Sequence, residues 1–181
     1  MAVVIKKVIV ALAFAYIVSK LFQQSLIVLW TLIVSSIVVY GSYKSCFVSL
    51  TGKNPVTGRI TVFGIISFLP YYIAVLILMI GGRLISLIKG WKSFDEIFTG
   101  VYLGDYYSSF MADKKWNGVV DVTNELPRFG NSKHYVNVPA WDGCPPPVEG
   151  IQQAVDFIMS TDKPILIHCA YELLISTNIR F

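Results

Sequence analysis

The distribution of charge constrains this chain more than any other feature of its sequence. Residues 1–92 contain nine Lys or Arg and no Asp or Glu, whereas residues 93–181 contain six Lys or Arg and all eleven acids. The formal charges are therefore +9 and −5, which sum to the net charge of +4. Long apolar runs without acids are typical of membrane segments, and basic flanks favour anionic lipid surfaces. We predict a membrane region over residues 1–92 and an α/β domain over residues 93–181, with the lipid bilayer as a partner and no nucleic-acid partner.

Two charge-free stretches are long enough to cross a bilayer. Residues 60–80 would reach roughly 30 Å as a helix, the thickness of the hydrocarbon layer. Pro70 lies in the middle of this stretch, where neighbouring helices tolerate a kink. Residues 25–43 form the second stretch, which Lys44 closes. The buried core of a soluble protein is the alternative interpretation, but so long a region without any acid argues against it.

A third apolar stretch, residues 8–19, is shorter and has lysines on both sides. It fits either a first span or half-buried helix, or the apolar part of a signal peptide, although no small-residue cleavage site follows it. The sequence therefore predicts two or three transmembrane helices. Basic residues flank every apolar stretch, so the positive-inside rule does not fix their orientation.

The second part of the chain alternates between strand and helix patterns. Short apolar runs predict strands, and apolar residues at helical spacing after turn-forming residues predict helices. The predicted strands are residues 101–104, 118–122, 135–139 and 164–167, and the predicted helices are residues 108–115 and 148–160. Strands interleaved with helices imply a mostly parallel sheet. The predicted fold class is thus transmembrane helices followed by an α/β domain with a mostly parallel sheet, which the resemblance described next makes an incomplete, phosphatase-like domain.

The last predicted strand leads directly into His168 and Cys169. A strand that ends in His-Cys resembles the entry to the phosphate loop of the dual-specificity and protein-tyrosine phosphatases. The order of the preceding motifs is also similar to that family. These motifs are Val101-Tyr102-Leu103-Gly104, then Gly118-Val119-Val120-Asp121-Val122-Thr123, then Tyr135-Val136-Asn137-Val138-Pro139 and a loop Asp. The resemblance covers residues 98–171, the N-terminal part of such a catalytic domain.

The resemblance implies a role for three residues. Cys169 takes the position of the nucleophile, His168 that of the neighbour that orients the loop, and Asp142 that of the general acid. A thiolate nucleophile needs a reducing compartment, so the α/β domain should face the cytosol. The alternatives are an inert buried thiol at Cys169 and a turn-forming role for Asp142. No cofactor or metal is implied, and Cys46, Cys144 and Cys169 lack the spacing of metal ligands.

The chain departs from the family pattern after Tyr171. The family has an Arg six residues after the cysteine, where this chain has Ile175, and Glu172 adds a carboxylate to the loop that should hold a dianion. The resemblance therefore implies a truncated domain that is catalytically impaired.

Three functions remain open from the sequence. The first is a membrane-anchored phosphoric monoester hydrolase of this family that acts on a phosphorylated protein or phospholipid, with little or no activity in this chain. The second is a non-catalytic, membrane-tethered binding or scaffold protein with a degenerate phosphatase fold. The third is a small polytopic membrane protein with a linker tail, which the ordered strand and helix pattern disfavours.

Overall fold

The computed structural model describes residues 9, 13–14, 16–17, 20, 25–44, 48–111, 116–129, 132–141 and 144–170. Helix α1 spans Ser25–Lys44, helix α2 Val62–Ser67 and helix α3 Leu69–Lys89. A 3-10 turn, Val48–Thr51, follows α1. Within the described residues, the segments Leu26–Lys44 and Leu69–Lys89 are long and apolar enough to cross a membrane. The predicted segment 8–19 lies mostly outside the described residues.

The long apolar helix that the sequence predicts over residues 60–80 begins later in the structure, as α3. Thr61 caps the short helix α2 by accepting a hydrogen bond from the Gly64 amide at 3.1 Å, and the helix stops at Phe68. Pro70 lies in the first turn of α3, where its missing N–H is not needed, so it starts the helix and does not kink it. The helix ends at Gly90, whose φ of 65° suits a residue without a Cβ. The prediction of a helix over residues 60–80 with a central proline was therefore wrong.

The α/β part contains one five-stranded sheet in the order β1-β2-β5-β3-β4. Its strands are β1 (Phe94–Phe98), β2 (Val101–Gly104), β3 (Gly118–Thr123), β4 (His134–Ala140) and β5 (Ile165–His168). Strands β2, β5, β3 and β4 are parallel, and β1 pairs antiparallel with β2. The mostly parallel sheet and its four predicted strands are confirmed, whereas β1 was not predicted. Strand β5 lies in the centre of the sheet.

The two faces of the sheet follow the alternation of side chains along each strand. One face carries Ile165 and Val120 against helix α4, Val148–Ser160, which has the predicted bounds. Gly150 lets α4 approach β4 closely, because a Cβ there would lie 2.6 Å from Val138. The opposite face carries Leu166 and is covered by an aromatic cluster of Phe94, Tyr102 and Trp116.

The predicted helix over residues 108–115 is not formed in its described part. A 3-10 turn, Tyr106–Met111, takes its place, and residues 112–115 lie outside the described residues. Asp105 caps this turn, since its Oδ1 accepts a hydrogen bond from the Ser108 amide at 2.8 Å.

The helices and the sheet pack directly against each other. Trp141, at the end of β4, is 1% exposed and belongs to one apolar cluster with Val34 and Val38 of α1 and with Phe68. The ring of Tyr71 meets Trp141 edge-on at 6.0 Å. Helix α1 and the start of α3 are therefore held against the carboxyl end of β4.

Candidate active site

Cys169 lies at the carboxyl end of the central strand. It directly follows β5, and its amide donates a hydrogen bond to the Gly104 carbonyl at 3.4 Å, at the end of β2. The residue is partly buried and its thiol is not in a disulfide. In open α/β sheets, ligands bind beyond the carboxyl ends of parallel strands. Cys169 therefore lies, partly buried, at the edge of the sheet where such ligands bind.

His168 is buried, with 2% of its surface exposed. Its Nε2 lies 3.8 Å from Oδ1 of Asp121, and its Nδ1 has no hydrogen-bond partner among the described residues. Burial lowers the pKa of His168, and this outweighs the nearby Asp121 carboxylate, which raises it. The imidazole is therefore neutral near pH 7, which fits a positioning role for the backbone that leads into Cys169.

A buried ion pair lies beside His168 and was not predicted. The ammonium of Lys53, in the segment between α1 and α2, donates to Oδ2 of Asp121 at 2.7 Å. Its other two protons go to Thr123, to the carbonyl at 2.8 Å and to the hydroxyl at 2.9 Å. The side chains of Lys53 and Asp121 are each 1% exposed. All three donors of the ammonium are thus used, as a buried charge requires.

Asp121 is held as an anion. Its Oδ2 also accepts from the Tyr135 hydroxyl at 2.7 Å, and its Oδ1 accepts from the Thr123 amide and hydroxyl. Burial alone would raise the pKa of Asp121, but the Lys53 ammonium and these hydrogen bonds lower it. A carboxyl with a lowered pKa is ionised at neutral pH, so Asp121 is not a proton donor there. Its role is to fix the loop that carries Lys53 onto β3.

The predicted general acid, Asp142, lies outside the described residues, but the residues beside it are fixed. Trp141 packs against the helices, and its carbonyl accepts a hydrogen bond from the Cys144 amide at 2.9 Å. The Cys144 thiol donates to the Ser42 carbonyl of α1 at 2.8 Å. Both ends of the loop that contains Asp142 are therefore attached to the helical part of the chain.

Helix α3 runs along the carboxyl edge of the sheet. Met79 is 4% exposed and packs in one cluster with Tyr106, Leu126 and Ala170, the residue after Cys169. Near the end of the helix, Arg83 lies 3.8 Å from Asp105 and its guanidinium donates to the Ser93 hydroxyl. The edge at which Cys169 lies is thus partly covered by an apolar helix.

Sequence patterns could have found some of these residues. An acid inside a buried strand, as at Asp121, signals a buried partner, because charged groups are rarely buried alone. Nothing in the sequence identifies Lys53 as that partner. Residues 171–181, with Glu172 and Ile175, lie outside the described residues, so the phosphate loop is not described. Among the described residues, no three His, Cys, Asp or Glu side chains are grouped as metal ligands.

Comparison with known proteins gives no relative. No protein-family model, curated protein or solved structure matches this chain significantly. The phosphatase resemblance therefore depends on the order of the sequence motifs and on the position of Cys169.

Proposed function

We propose that this chain is a membrane-associated phosphatase of the cysteine-dependent, dual-specificity type that hydrolyses phosphate monoesters through a phosphocysteine. One observation carries the proposal: Cys169, partly exposed, follows the central parallel strand at the carboxyl edge of the sheet. A nucleophile at this position can meet a ligand that binds beyond the strand ends.

The reaction has two steps. The Cys169 thiolate attacks phosphorus, the P–S bond forms and the bond to the leaving oxygen breaks, while the Asp142 carboxyl gives that oxygen its proton. Water then attacks the phosphocysteine, the P–S bond breaks, and the Asp142 carboxylate takes the proton from water. Neutral His168 acts as a positioning residue for the backbone at Cys169.

The turnover of this sequence should be low. Ile175 stands where the family has the Arg that holds two phosphate oxygens, and the Glu172 carboxylate repels a phosphate dianion. Loss of a single preorganised donor to a developing oxyanion lowers kcat by about 10²–10³-fold in a well-studied protease. We expect a loss at least as large here, because the guanidinium also carries a full charge.

The compartment and the substrate class follow from the chemistry. A thiolate nucleophile requires a reducing environment, so the α/β part faces the cytosol. The substrate is a phosphorylated protein or a phospholipid that reaches the sheet from the membrane on which α1 and α3 are held.

A non-catalytic binding or scaffold function is the second candidate. The observation that favours it is that Met79 of α3 packs against Ala170, at the sheet edge where Cys169 lies. A chain whose sheet edge is covered and whose phosphate loop lacks the Arg would not hydrolyse a phosphate ester. It would bind a partner through other surfaces.

The test compares four forms of the full-length chain in mild detergent with p-nitrophenyl phosphate as substrate. We expect little hydrolysis by the native sequence, and a gain of at least 10²-fold in the Glu172→Gly, Ile175→Arg double variant. Adding Cys169→Ser to that double variant should abolish the gain, and Cys144→Ser, the matched control, should keep it.

Mass spectrometry after rapid quenching should find a phosphate on Cys169 of the active variant only. A double variant that is folded but has no activity, or activity that survives Cys169→Ser, would contradict the proposal. A folded, inactive double variant that still binds a phosphorylated peptide would favour the scaffold function.

A further inference from the structure

Both ends of helix α3 contact the same folded body. At its start, the Tyr72 hydroxyl donates to the carbonyl of Thr51 at 3.0 Å. Thr51 belongs to the segment before α3, which the buried Lys53–Asp121 ion pair fastens to β3. At its end, Arg83 contacts Asp105, which follows β2.

These contacts determine whether the segments before and after α3 lie on the same side of a membrane or on opposite sides. Residues 48–61 precede α3, and the sheet strands follow it. A helix that crosses a bilayer places the segments before and after it on opposite sides. The ion pair between Lys53 and Asp121, with an N···O distance of 2.7 Å, requires the two segments to be on the same side.

A second contact between the two segments supports this constraint. The Arg128 amide, after β3, donates to the Gly58 carbonyl at 2.8 Å. Gly58 lies so close to Tyr135 that a Cβ would be only 2.3 Å from the tyrosine hydroxyl. The segment before α3 is therefore attached to the α/β part at Thr51, Lys53 and Gly58.

The middle of α3 is also attached to the sheet edge. Met79 is buried in the cluster with Tyr106, Leu126 and Ala170. From Tyr72 to Arg83 the helix advances by about 17 Å, given a rise of about 1.5 Å per residue. A helix docked over that length cannot leave the domain to stand upright in a bilayer.

The face of α3 that points away from the sheet is apolar and exposed. A helix at a water-exposed surface normally carries polar residues there. In α3, the exposed surface includes Leu76, Leu78 and Ile85, which are 46–56% exposed. Its aliphatic row consists of large residues, each 41–86% exposed: Ile73, Ile77, Ile80, Leu84, Leu87 and Ile88.

The charges around the row complement an anionic lipid surface. Arg59, Lys89 and Lys92 are exposed close to the two ends of α3 in the sequence, and residues 1–92 contain no acid. Basic residues near a membrane surface are attracted by anionic lipids. Apolar side chains with flanking cations fit a helix in contact with a membrane, whether it crosses the bilayer or lies in the interface. The ion pair between Lys53 and Asp121 separates these two arrangements.

We infer that α3 does not cross the membrane but lies in the plane of one leaflet. Its aliphatic row enters the lipid, and its opposite face contacts the sheet. The exposed face of α3 thus contacts a leaflet that contains anionic lipids. The inference depends on the membrane association that we propose, but not on the chemistry at Cys169. It places the carboxyl edge of the sheet within about one helix diameter, roughly 10–12 Å, of the lipid.

Spin labels measure the depth of α3 directly. Single cysteines replace Ile73, Ile77, Ile80, Leu84 and Ile88 of the full-length chain in a background with Cys46, Cys144 and Cys169 changed to Ser. The labelled proteins are reconstituted into vesicles of phosphatidylcholine and phosphatidylserine. Collision rates with oxygen and with a water-soluble nickel chelate give the depth of each label.

We expect the five labels to lie at one shallow depth, on the order of 5–10 Å below the headgroups. Val56→Cys, in the exposed loop before α2, is the matched control and should be accessible to nickel. From residue 73 to residue 88 the helix advances by about 22 Å, so a crossing helix would give depths that rise to a central maximum and fall again. That profile would overturn the inference and leave membrane association intact.

Labels that are all accessible to nickel would overturn both the inference and membrane association. Immobilised labels with strong dipolar coupling between chains would show that a second copy covers the face, which also overturns the inference.

A sidedness measurement tests the same inference without spin labels. Val56→Cys and Met159→Cys, both on exposed residues, are treated in sealed vesicles with a maleimide that does not cross membranes. Equal labelling of the two from the same side is expected. Labelling from opposite sides would show that α3 crosses the bilayer.

Discussion

The Nζ atom of Lys53 lies 2.7 Å from Oδ2 of Asp121, although 68 residues and helix α3 separate them along the chain. Each side chain is 1% exposed. An unpaired charge at this depth would be costly, because the interior cannot replace the solvation that water gives. The pair therefore ties the segment between the helices to β3 and fixes both ends of α3 to one body.

Lys53→Met should destabilise the protein by about 3–5 kcal/mol, because it leaves the Asp121 carboxylate buried without its cation. The free energy of unfolding in mild detergent, from denaturant titration, is the measurement. Lys133→Met, which removes an exposed lysine, is the control and should change stability by about 0.5 kcal/mol or less. Adding Asp121→Asn to Lys53→Met should restore part of the loss. Strictly additive effects would show that the two residues are not coupled.

The coupling between Lys53 and Asp121 should weaken on acidification. The folded pKa of Asp121 is lowered, so its stabilising effect is complete above the unfolded pKa of about 3.9 and is lost as pH falls through the folded pKa. Without Lys53, burial raises the pKa of Asp121 instead. The stability difference between the native chain and Lys53→Met should therefore shrink from about pH 6 to about pH 3. A difference that does not change with pH would contradict this assignment.

His168 should make the protein less stable below neutral pH. Its folded pKa is lowered by burial, so above the unfolded value of about 6.5 the imidazole is neutral in both states. As pH falls below that value, the unfolded chain takes up a proton that the folded chain excludes, and stability decreases. His168→Asn should flatten the unfolding free energy between about pH 7 and pH 5. Equal slopes for the native chain and His168→Asn would rule out this role.

Trp141→Ala should cost about 3–5 kcal/mol, because it empties a fully buried site between the helices and β4. Trp91, which is 42% exposed, is the matched control, and Trp91→Ala should cost about 1 kcal/mol or less. Thermal unfolding in detergent measures both. Similar losses for the two variants would mean that Trp141 does not join the helices to the sheet.

Met79→Ala should increase the reactivity of the Cys169 thiol. The substitution removes the side chain that packs in the cluster with Ala170, so small reagents should reach the strand end more easily. The alkylation rate of Cys169 is measured in a background with Cys46→Ser and Cys144→Ser. Leu78→Ala alters a neighbouring residue that is 46% exposed and should leave the rate unchanged. An unchanged rate in Met79→Ala would show that α3 does not restrict access.

The sheet could be predicted from the sequence because its signals are local. Alternating apolar residues in β4 and the helical spacing in α4 depend only on which face of each element is buried. The antiparallel strand β1 was missed because its exposed sequence, Phe94–Phe98, contains two acids and no clear alternation.

The contacts that organise the candidate site could not be predicted, because they join distant segments. An acid in a buried strand, such as Asp121, predicts a buried cationic partner. The sequence contains several lysines, and only the fold shows that Lys53 is this partner. The start of α3 was misjudged for a different reason. An apolar run does not show where one helix stops, whereas the capping residue Thr61 and the position of Pro70 do.

The order of synthesis gives the Lys53–Asp121 pair a further consequence. At about 5–20 residues per second, the ribosome completes Lys53 several seconds before Asp121 exists. During that interval the Lys53 ammonium cannot pair with Asp121, and the newly made α3 has no sheet edge against which to pack. The helix therefore reaches its final position against the sheet only after β3 is made, so the docking of α3 and the folding of the α/β part finish together.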